Sequence, residues 1–313
     1  MGNGKLIFFG TGDVGLPFLK ALHPAFDIGM IITQPDSRGG RSRKSIIPAV
    51  KRFAQDNRIP FRQPEKLKDT DLIAAVSALQ PKVAVVVAYG RLIPPELFSI
   101  PRHRTVNVHF SLLPLYRGAA PVQRAIENGE SQTGITIFEI DRRLDAGDIW
   151  AQKEFAIQPD ETAAALLRRL SGAGALFLVE TLERIFSGKI SRRVQDHARA
   201  SDAPALKKSE GWIDWTWPAS VIYDRFRAFT PWPGLCFRMN SRPVTVVSCR
   251  PLPPGNDSGL PLPGKVLALD RNGMQVECGS QSILAIEQIQ PPGKKAMTPF
   301  QYSLGNRVPE RLA

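Results

Sequence analysis

Asn107 and His109 stand two residues apart in the run Arg104-Thr-Val-Asn-Val-His-Phe110. In an extended strand, residues at that spacing project from the same face, roughly 7 Å apart. The run breaks at Ser111 into a segment containing Pro114, Gly118 and Pro121, so the pair lies near the C-terminal end of its strand. Ligands of open α/β sheets bind at that end. An amide beside an imidazole suits acyl transfer. The amide can donate to a developing oxyanion, and the imidazole can donate to it or accept a proton. A carboxylate is still needed to orient and charge-balance the imidazole. Asp145, in the loop Leu144-Asp-Ala-Gly-Asp148, could be brought beside His109. Spacing alone also allows a His satisfied in the core, an Asn holding a turn, and Asp145 and Asp148 as loop caps; geometry has to decide. His23, His103 and His197 have no comparable neighbourhood and read as surface or structural residues.

The elements that must position these residues are legible as largely apolar runs. Lys5–Gly10, Ile28–Thr33 and Val83–Ala88 read as buried strands, with further strands over Arg104–Phe110 and Gly134–Ile140. Continuous apolar runs suit a parallel sheet covered on both faces. Helices are expected over about 15–22 and 48–57, and a long one over 160–187. In the long one Leu166, Leu170, Phe177, Leu178, Leu182 and Ile185 repeat at helical spacing, with Asp160 as N-cap and Gly188 as stop. Alternating strands and helices argue for an α/β fold. A Gly/Arg/Ser-rich stretch from Asp36 to Ser45 reads as a loop. Beyond residue 209 short strand-like pieces alternate with Pro and Gly clusters, which predicts a small β-barrel.

The chain of 313 residues suits two domains. Lys and Arg number 41 against 29 Asp and Glu, a net charge of +12 that points to a polyanionic partner, nucleic acid first. There is no apolar run long enough for a transmembrane helix and no Lys/Arg-rich amphipathic helix for a membrane surface. The N-terminus leaves no room for a transit peptide before the first strand, which favours a bacterial cytoplasm. The three cysteines, Cys236, Cys249 and Cys278, suit neither a disulfide framework nor a zinc site, and no metal is expected.

Gly10-Thr-Gly-Asp-Val-Gly15 follows a strand and opens a helix, as a dinucleotide-binding turn would, with Asp36 placed as a ribose acid. Against an NAD-linked oxidoreductase, Asp36 runs into Ser-Arg-Gly-Gly-Arg-Ser-Arg-Lys44, and no site for hydride chemistry is evident. The glycines are also explained by a tight turn and close helix–strand packing. A nucleic-acid-binding protein without catalysis is the other reading that charge alone supports.

At Asn107, His109 and Asp145 the chain resembles the methionyl-tRNA formyltransferases, within the wider folate-dependent formyltransferases that share an Asn-x-His and a distant Asp. Thr33–Asp36, Val86–Gly90, Ser111–Pro114, Arg117–Pro121, Leu144–Asp148, Lys207–Trp215 and Arg227–Gly234 all look like family signatures, so the likeness covers nearly the whole chain. The resemblance implies a Rossmann-like parallel-sheet formyltransferase domain over 1–191, a linker over 192–206 and an OB-like tRNA-binding domain over 207–313. It implies transfer of the formyl group of 10-formyltetrahydrofolate to the α-amine of methionine on initiator tRNA. By resemblance Asn107, His109 and Asp145 are catalytic, and Ser111, Leu112, Leu113 and Pro114 contact the folate. The basic loop, with Arg38, Arg41, Arg43 and Lys44, meets the tRNA acceptor arm. A monomer is expected. Related enzymes acting on a nucleotide-linked sugar amine or a small ribonucleotide share the same trio but would not need both the basic loop and a basic barrel. Two positions depart from the family pattern. Phe110, where a small residue is usual, should point away from the His109 face. Leu115 replaces a common basic residue.

Overall fold

The computed structural model describes residues 5–39, 44–253 and 262–312. The chain forms two compact units, Met1–Pro121 with Gln132–Ala156 and Leu166–Pro204, and Val122–Ser131 with Ile157–Ala165 and Ala205–Ala313.

In chain order the first half carries β1 (Leu6–Gly10), α1 (Leu16–Ala25), β2 (Ile28–Ile32), β3 (Ser37–Gly39), β4 (Lys44–Ile46), α2 (Ala49–Asp56), β5 (Phe61–Arg62) and α3 (Thr70–Ala78). It continues with β6 (Val83–Val87), α4 (Pro95–Phe98), β7 (Thr105–His109), α5 (Pro121–Glu127), β8 (Gln132–Glu139), β9 (Ile149–Ala156) and α6 (Ala163–Phe186). Seven strands form one sheet in the order β5-β2-β1-β6-β7-β8-β9. β1, β2 and β6 are buried at every position. That is what helices on both faces of a parallel sheet demand of uninterrupted Val, Ile and Phe runs.

The pairings from β5 to β7 are parallel, whereas β7–β8 and β8–β9 are antiparallel. The expected parallel sheet is therefore mixed at one edge. Strand β9 carries Gln152, Lys153 and Glu154 in its middle, polarity that an edge strand tolerates and that masks it in the sequence. Helix α6 presents the expected stripe: Leu166, Leu170, Leu178, Leu182 and Ile185 are buried, and Phe177 is half-buried. Its cap is Thr162, whose Oγ1 accepts from Ala165 N at 3.3 Å, and not Asp160, which accepts from the Tyr223 hydroxyl. Gly188 ends it at φ +67°, a left-handed position that glycine adopts without steric cost. Phe110 is absorbed by the core, edge-on to Phe18.

The Asp36–Ser45 stretch, expected as loop, contains a two-stranded ladder in which Arg38 faces Ser45 and Gly39 faces Lys44. Arg41 and Arg43 lie outside the described residues.

The second unit holds α7 (Ala219–Phe229), β10 (Cys236–Met239), β11 (Arg242–Leu252), β12 (Val266–Asp270), β13 (Gly273–Glu277), β14 (Ile283–Gln290) and α8 (Pro299–Ser303). Its sheet is antiparallel in the order β10-β11-β14-β13-β12, a half-barrel closed over Phe237, Val244, Val246, Met274, Val276, Leu284 and Ile286. Residues from the first half of the chain belong to this unit. Arg124 pairs with both Glu127 and Glu210 at 2.6 Å, and Arg225 pairs with Glu127 and the Glu210 carbonyl. The four side chains are 12–23% exposed, so each charge depends on the others.

Candidate active site

Parallel pairing with β6 and antiparallel pairing with β8 fix β7 in the sheet, with Asn107 opposite Val86 and Phe138, and His109 opposite Thr136. Asn107 is half-buried, and among the described residues no hydrogen-bond partner occupies its side-chain amide. His109 is 5% exposed. Its Nε2 lies 2.8 Å from the Tyr116 carbonyl oxygen, and its Nδ1 lies 3.7 Å from Asp145 Oδ2. A carbonyl only accepts, so Nε2 carries the proton in the neutral ring and Nδ1 holds the lone pair. Burial pushes the imidazole below its ordinary pKa, against the opposing pull of the Asp145 charge and the Tyr116 carbonyl. The ring is therefore neutral near pH 7 and offers its base position to the side where Asp145 stands.

Asp145 sits in a tight loop between β8 and β9 with φ at +48°. Gly118 N donates to its Oδ2 at 2.8 Å, which anchors the same oxygen that faces His109. Gly147, two residues on, packs against the Glu139 carbonyl with no room for a Cβ. The spacing expectation is met in space: Asp145, from a loop 36 positions beyond His109 in the chain, reaches the imidazole.

The segment Ser111–Pro114 is stapled to β8 and β9. Thr136 Oγ1 donates to Ser111 O at 2.6 Å and accepts from Leu113 N at 3.1 Å. Gln152 Nε2 donates to Leu113 O and to Thr136 Oγ1, both at 2.8 Å. Ser111 is fully buried and donates to Leu115 O at 2.6 Å, so its hydroxyl is already engaged. Leu113 is buried with Phe138 and Ile149, while Leu112 is half-buried against Gly134. The turn after β1 opens on a separate cavity of about 610 Å³, lined among others by Thr11, Gly12, Gln34, Ile46, Arg52 and Phe53.

The dinucleotide reading loses its acid. Asp36 is taken by Lys51 Nζ at 2.8–2.9 Å and by Gln63 Nε2 at 2.7 Å, and these contacts hold its carboxyl below the usual range. Gly10 has a packing explanation, since a Cβ there would meet the Phe8 ring at 2.6 Å. Lys51, one of the basic residues around the hairpin, is thereby committed to an ion pair. Only the backbone positions of Arg38 and Lys44 are described, on β3 and β4. Among the described residues no group of three or more His, Cys, Asp or Glu side chains is placed to hold a metal ion. Nor is any described helix long and apolar enough to cross a membrane.

Sequence reasoning missed Gln195. It is 4% exposed and bonds to the backbone carbonyls of Asp145 and Gly147. It sits in the stretch expected as linker, where Arg193 also exchanges backbone hydrogen bonds with Ile149. His197, expected as a surface or structural residue, lies between Arg117 Nη2 at 2.8 Å and Arg143 Nη2 at 3.3 Å.

The formyl transferase family matches residues 5–182, and its C-terminal domain matches residues 205–307. A methionyl-tRNA formyltransferase of Moorella thermoacetica is 40% identical over 302 residues, 96% of each chain. One from Geobacter metallireducens is 38% identical over 305 residues, 97% of this chain and 96% of its own. Among solved structures, the sugar 3N-formyl transferase WlaRD aligns with a TM-score of 0.67 at 17% identity, covering 94% of this chain and all of its own. HypX of Aquifex aeolicus, crystallised with tetrahydrofolic acid, aligns with a TM-score of 0.64 at 17% identity over 97% of this chain; the chain spans about half of HypX, 47%. The distant structures share the fold, and the near relatives match end to end: the chain belongs to the formyl transferase family, among its methionyl-tRNA formyltransferases.

Proposed function

We propose that the protein transfers the formyl group of 10-formyltetrahydrofolate to the α-amine of methionine on initiator tRNA, using Asn107, His109 and Asp145. The observation that carries this reading is the buried His109–Asp145 pair at 3.7 Å, with the opposite ring nitrogen tied to Tyr116. End-to-end kinship with proteins named for methionyl-tRNA supports the acceptor.

The folate donor supplies an activated one-carbon acyl group; the chain's own residues do the rest. The Asn107 amide, two residues from His109 on the same strand, donates to the formyl oxygen as negative charge develops there. The free α-amine attacks the formyl carbon, His109 Nδ1 accepts the proton that the nitrogen then sheds, and the Asp145 carboxylate stabilises the imidazolium so formed. As the tetrahedral intermediate collapses, the bond from the formyl carbon to N10 of the folate breaks and that nitrogen leaves with the proton, giving tetrahydrofolate. In the described state the His109 N–H is spent on Tyr116. Oxyanion binding therefore rests first on Asn107, and the stronger role of His109 is that of base.

Ser111, Leu112, Leu113 and Pro114 line the donor side. Their backbone is fixed by Thr136 and Gln152, so the wall needs no reordering on binding. The basic residues Arg38, Arg41, Arg43 and Lys44 contact tRNA phosphates; the net charge of +12 supports that role. The protein acts as a monomer, and the bacterial sources of its relatives support a bacterial cytoplasm as its place.

The test is to incubate the folded protein with 10-formyltetrahydrofolate and charged initiator methionyl-tRNA. Formylmethionyl-tRNA is the expected product, and its absence overturns the assignment.

A further inference from the structure

Asp145 faces His109 from a backbone conformation that side chains other than glycine adopt only at a cost. Its φ of +48° is left-handed, a region that Asn and Asp tolerate best but still at a cost. Such a residue keeps its geometry when its surroundings over-determine it. Here one side chain brackets the turn. Gln195 Nε2 donates to Asp145 O at 2.9 Å and to Gly147 O at 2.7 Å. Gln195 Oε1 accepts from Arg117 Nε at 3.3 Å and Nη2 at 2.7 Å. Both amide hydrogens and both lone pairs are used, and the amide cannot be turned over without setting oxygen against two carbonyls.

The circuit closes on the catalytic carboxylate. Arg117 is held by Ser201 O at its own N–H and by Ala203 N at its carbonyl, and the next residue, Gly118, donates to Asp145 Oδ2. The backbone and the side chain of Asp145 are thus referred to the same two-residue anchor, one through Gln195 and the other directly. We infer that Gln195, seated by the fork of Arg117, is a positioning residue that holds Asp145 against His109 and makes no contact with either substrate.

The inference rests on the catalytic reading of His109 and Asp145, and its test separates the two. Gln195→Leu removes both donors at similar volume. Gln195→Glu keeps the Arg117 pairing but presents oxygen to both carbonyls. Each variant is expected to lose turnover by about 10- to 100-fold, the scale of a displacement near 1 Å in a reacting group. KM for the formyl donor and for methionyl-tRNA stays within about two-fold, and thermal unfolding shows that the protein remains folded. A purely structural role would lower the melting temperature and leave kcat per folded molecule unchanged.

The second readout needs no activity. In the folded full-length protein the groups that bear on His109 are the Asp145 carboxylate and the Tyr116 carbonyl, with Arg117 and Arg143 beyond Asp145. Freeing Asp145 in Gln195→Leu removes the charge that favours the imidazolium, so the His109 titration followed by ring NMR shifts to lower pH. An unmoved His109 titration, or unchanged kcat in both variants, overturns the positioning role. Failure of the unmutated protein to formylate methionyl-tRNA would instead sink the functional reading and leave the His109 titration to decide on Gln195.

Discussion

In the proposed reaction His109 acts through whichever nitrogen it leaves free. With Nε2–H on the Tyr116 carbonyl, the base position points toward Asp145, and burial keeps the ring neutral until the medium is acidic. Loss of that neutral form on protonation should give kcat/KM an acid limb centred below the ordinary imidazole value of about 6.5. The sign for Asp145→Asn follows from the same balance. Removing a charge that raises the His109 pKa moves the limb to still lower pH, even as the maximal rate falls. A pH–rate profile of both proteins checks this, and a limb that moves upward would contradict it. His109→Ala should cost about 100- to 10,000-fold in kcat while tRNA affinity, measured by filter binding, is retained. Asn107 and His109 were readable because a period-two spacing on a strand is a local property. Gln195 was not, since its partners are backbone carbonyls 48 and 50 residues away and it sits in a polar stretch without periodicity.

At the scale of elements, the strands with continuous apolar runs were legible, and the polar edge strand was not. β9 pairs with β8 along its whole length, yet Gln152, Lys153 and Glu154 hide it from any hydrophobic pattern. Gln152 is one of the residues that fix the proposed donor wall, so the part of the site that the sequence obscured is the part built by that edge. Gly134 on β8 gives this a consequence. A Cβ there would meet the Leu112 side chain at 2.3–2.7 Å and the Lys153 carbonyl at 2.7 Å. Gly134→Ala should push Leu112 out of place and raise KM for the formyl donor by several-fold, with KM for methionyl-tRNA nearly unchanged. Steady-state kinetics with each substrate varied in turn decides it, and an effect on tRNA alone would remove Leu112 from the donor side. The long helix shows a smaller misreading of the same origin. Both Asp160 and Thr162 can cap, and only the tertiary bond from Tyr223 tells which oxygen is already taken.

For the whole molecule the excess of 12 positive charges makes tRNA affinity a function of ionic strength. Arg41→Ala is expected to weaken tRNA binding and to flatten the dependence of log K on log salt by somewhat less than one, the contribution of about one phosphate contact. Formyl-donor binding should be untouched; an unchanged slope would take Arg41 out of the interface.

Another whole-molecule property follows from the second unit, which borrows Val122–Ser131 and Ile157–Ala165 from the first half of the chain. Arg124 and Glu127 are made early in synthesis, and their partners Glu210 and Arg225 are made roughly a hundred residues later. Until then these ions stay hydrated, and burying them must await the later partners because an unpaired buried charge is costly. Completion of this ionic cluster is therefore expected only once Arg225 has been made. The matching prediction is that residues 205–313 made alone do not unfold cooperatively by calorimetry, and that a cooperative transition returns when the chain begins early enough to include Arg124. On that expectation, a cut at the boundary suggested by sequence composition leaves Arg124 and Glu127 on the far side from Glu210 and Arg225.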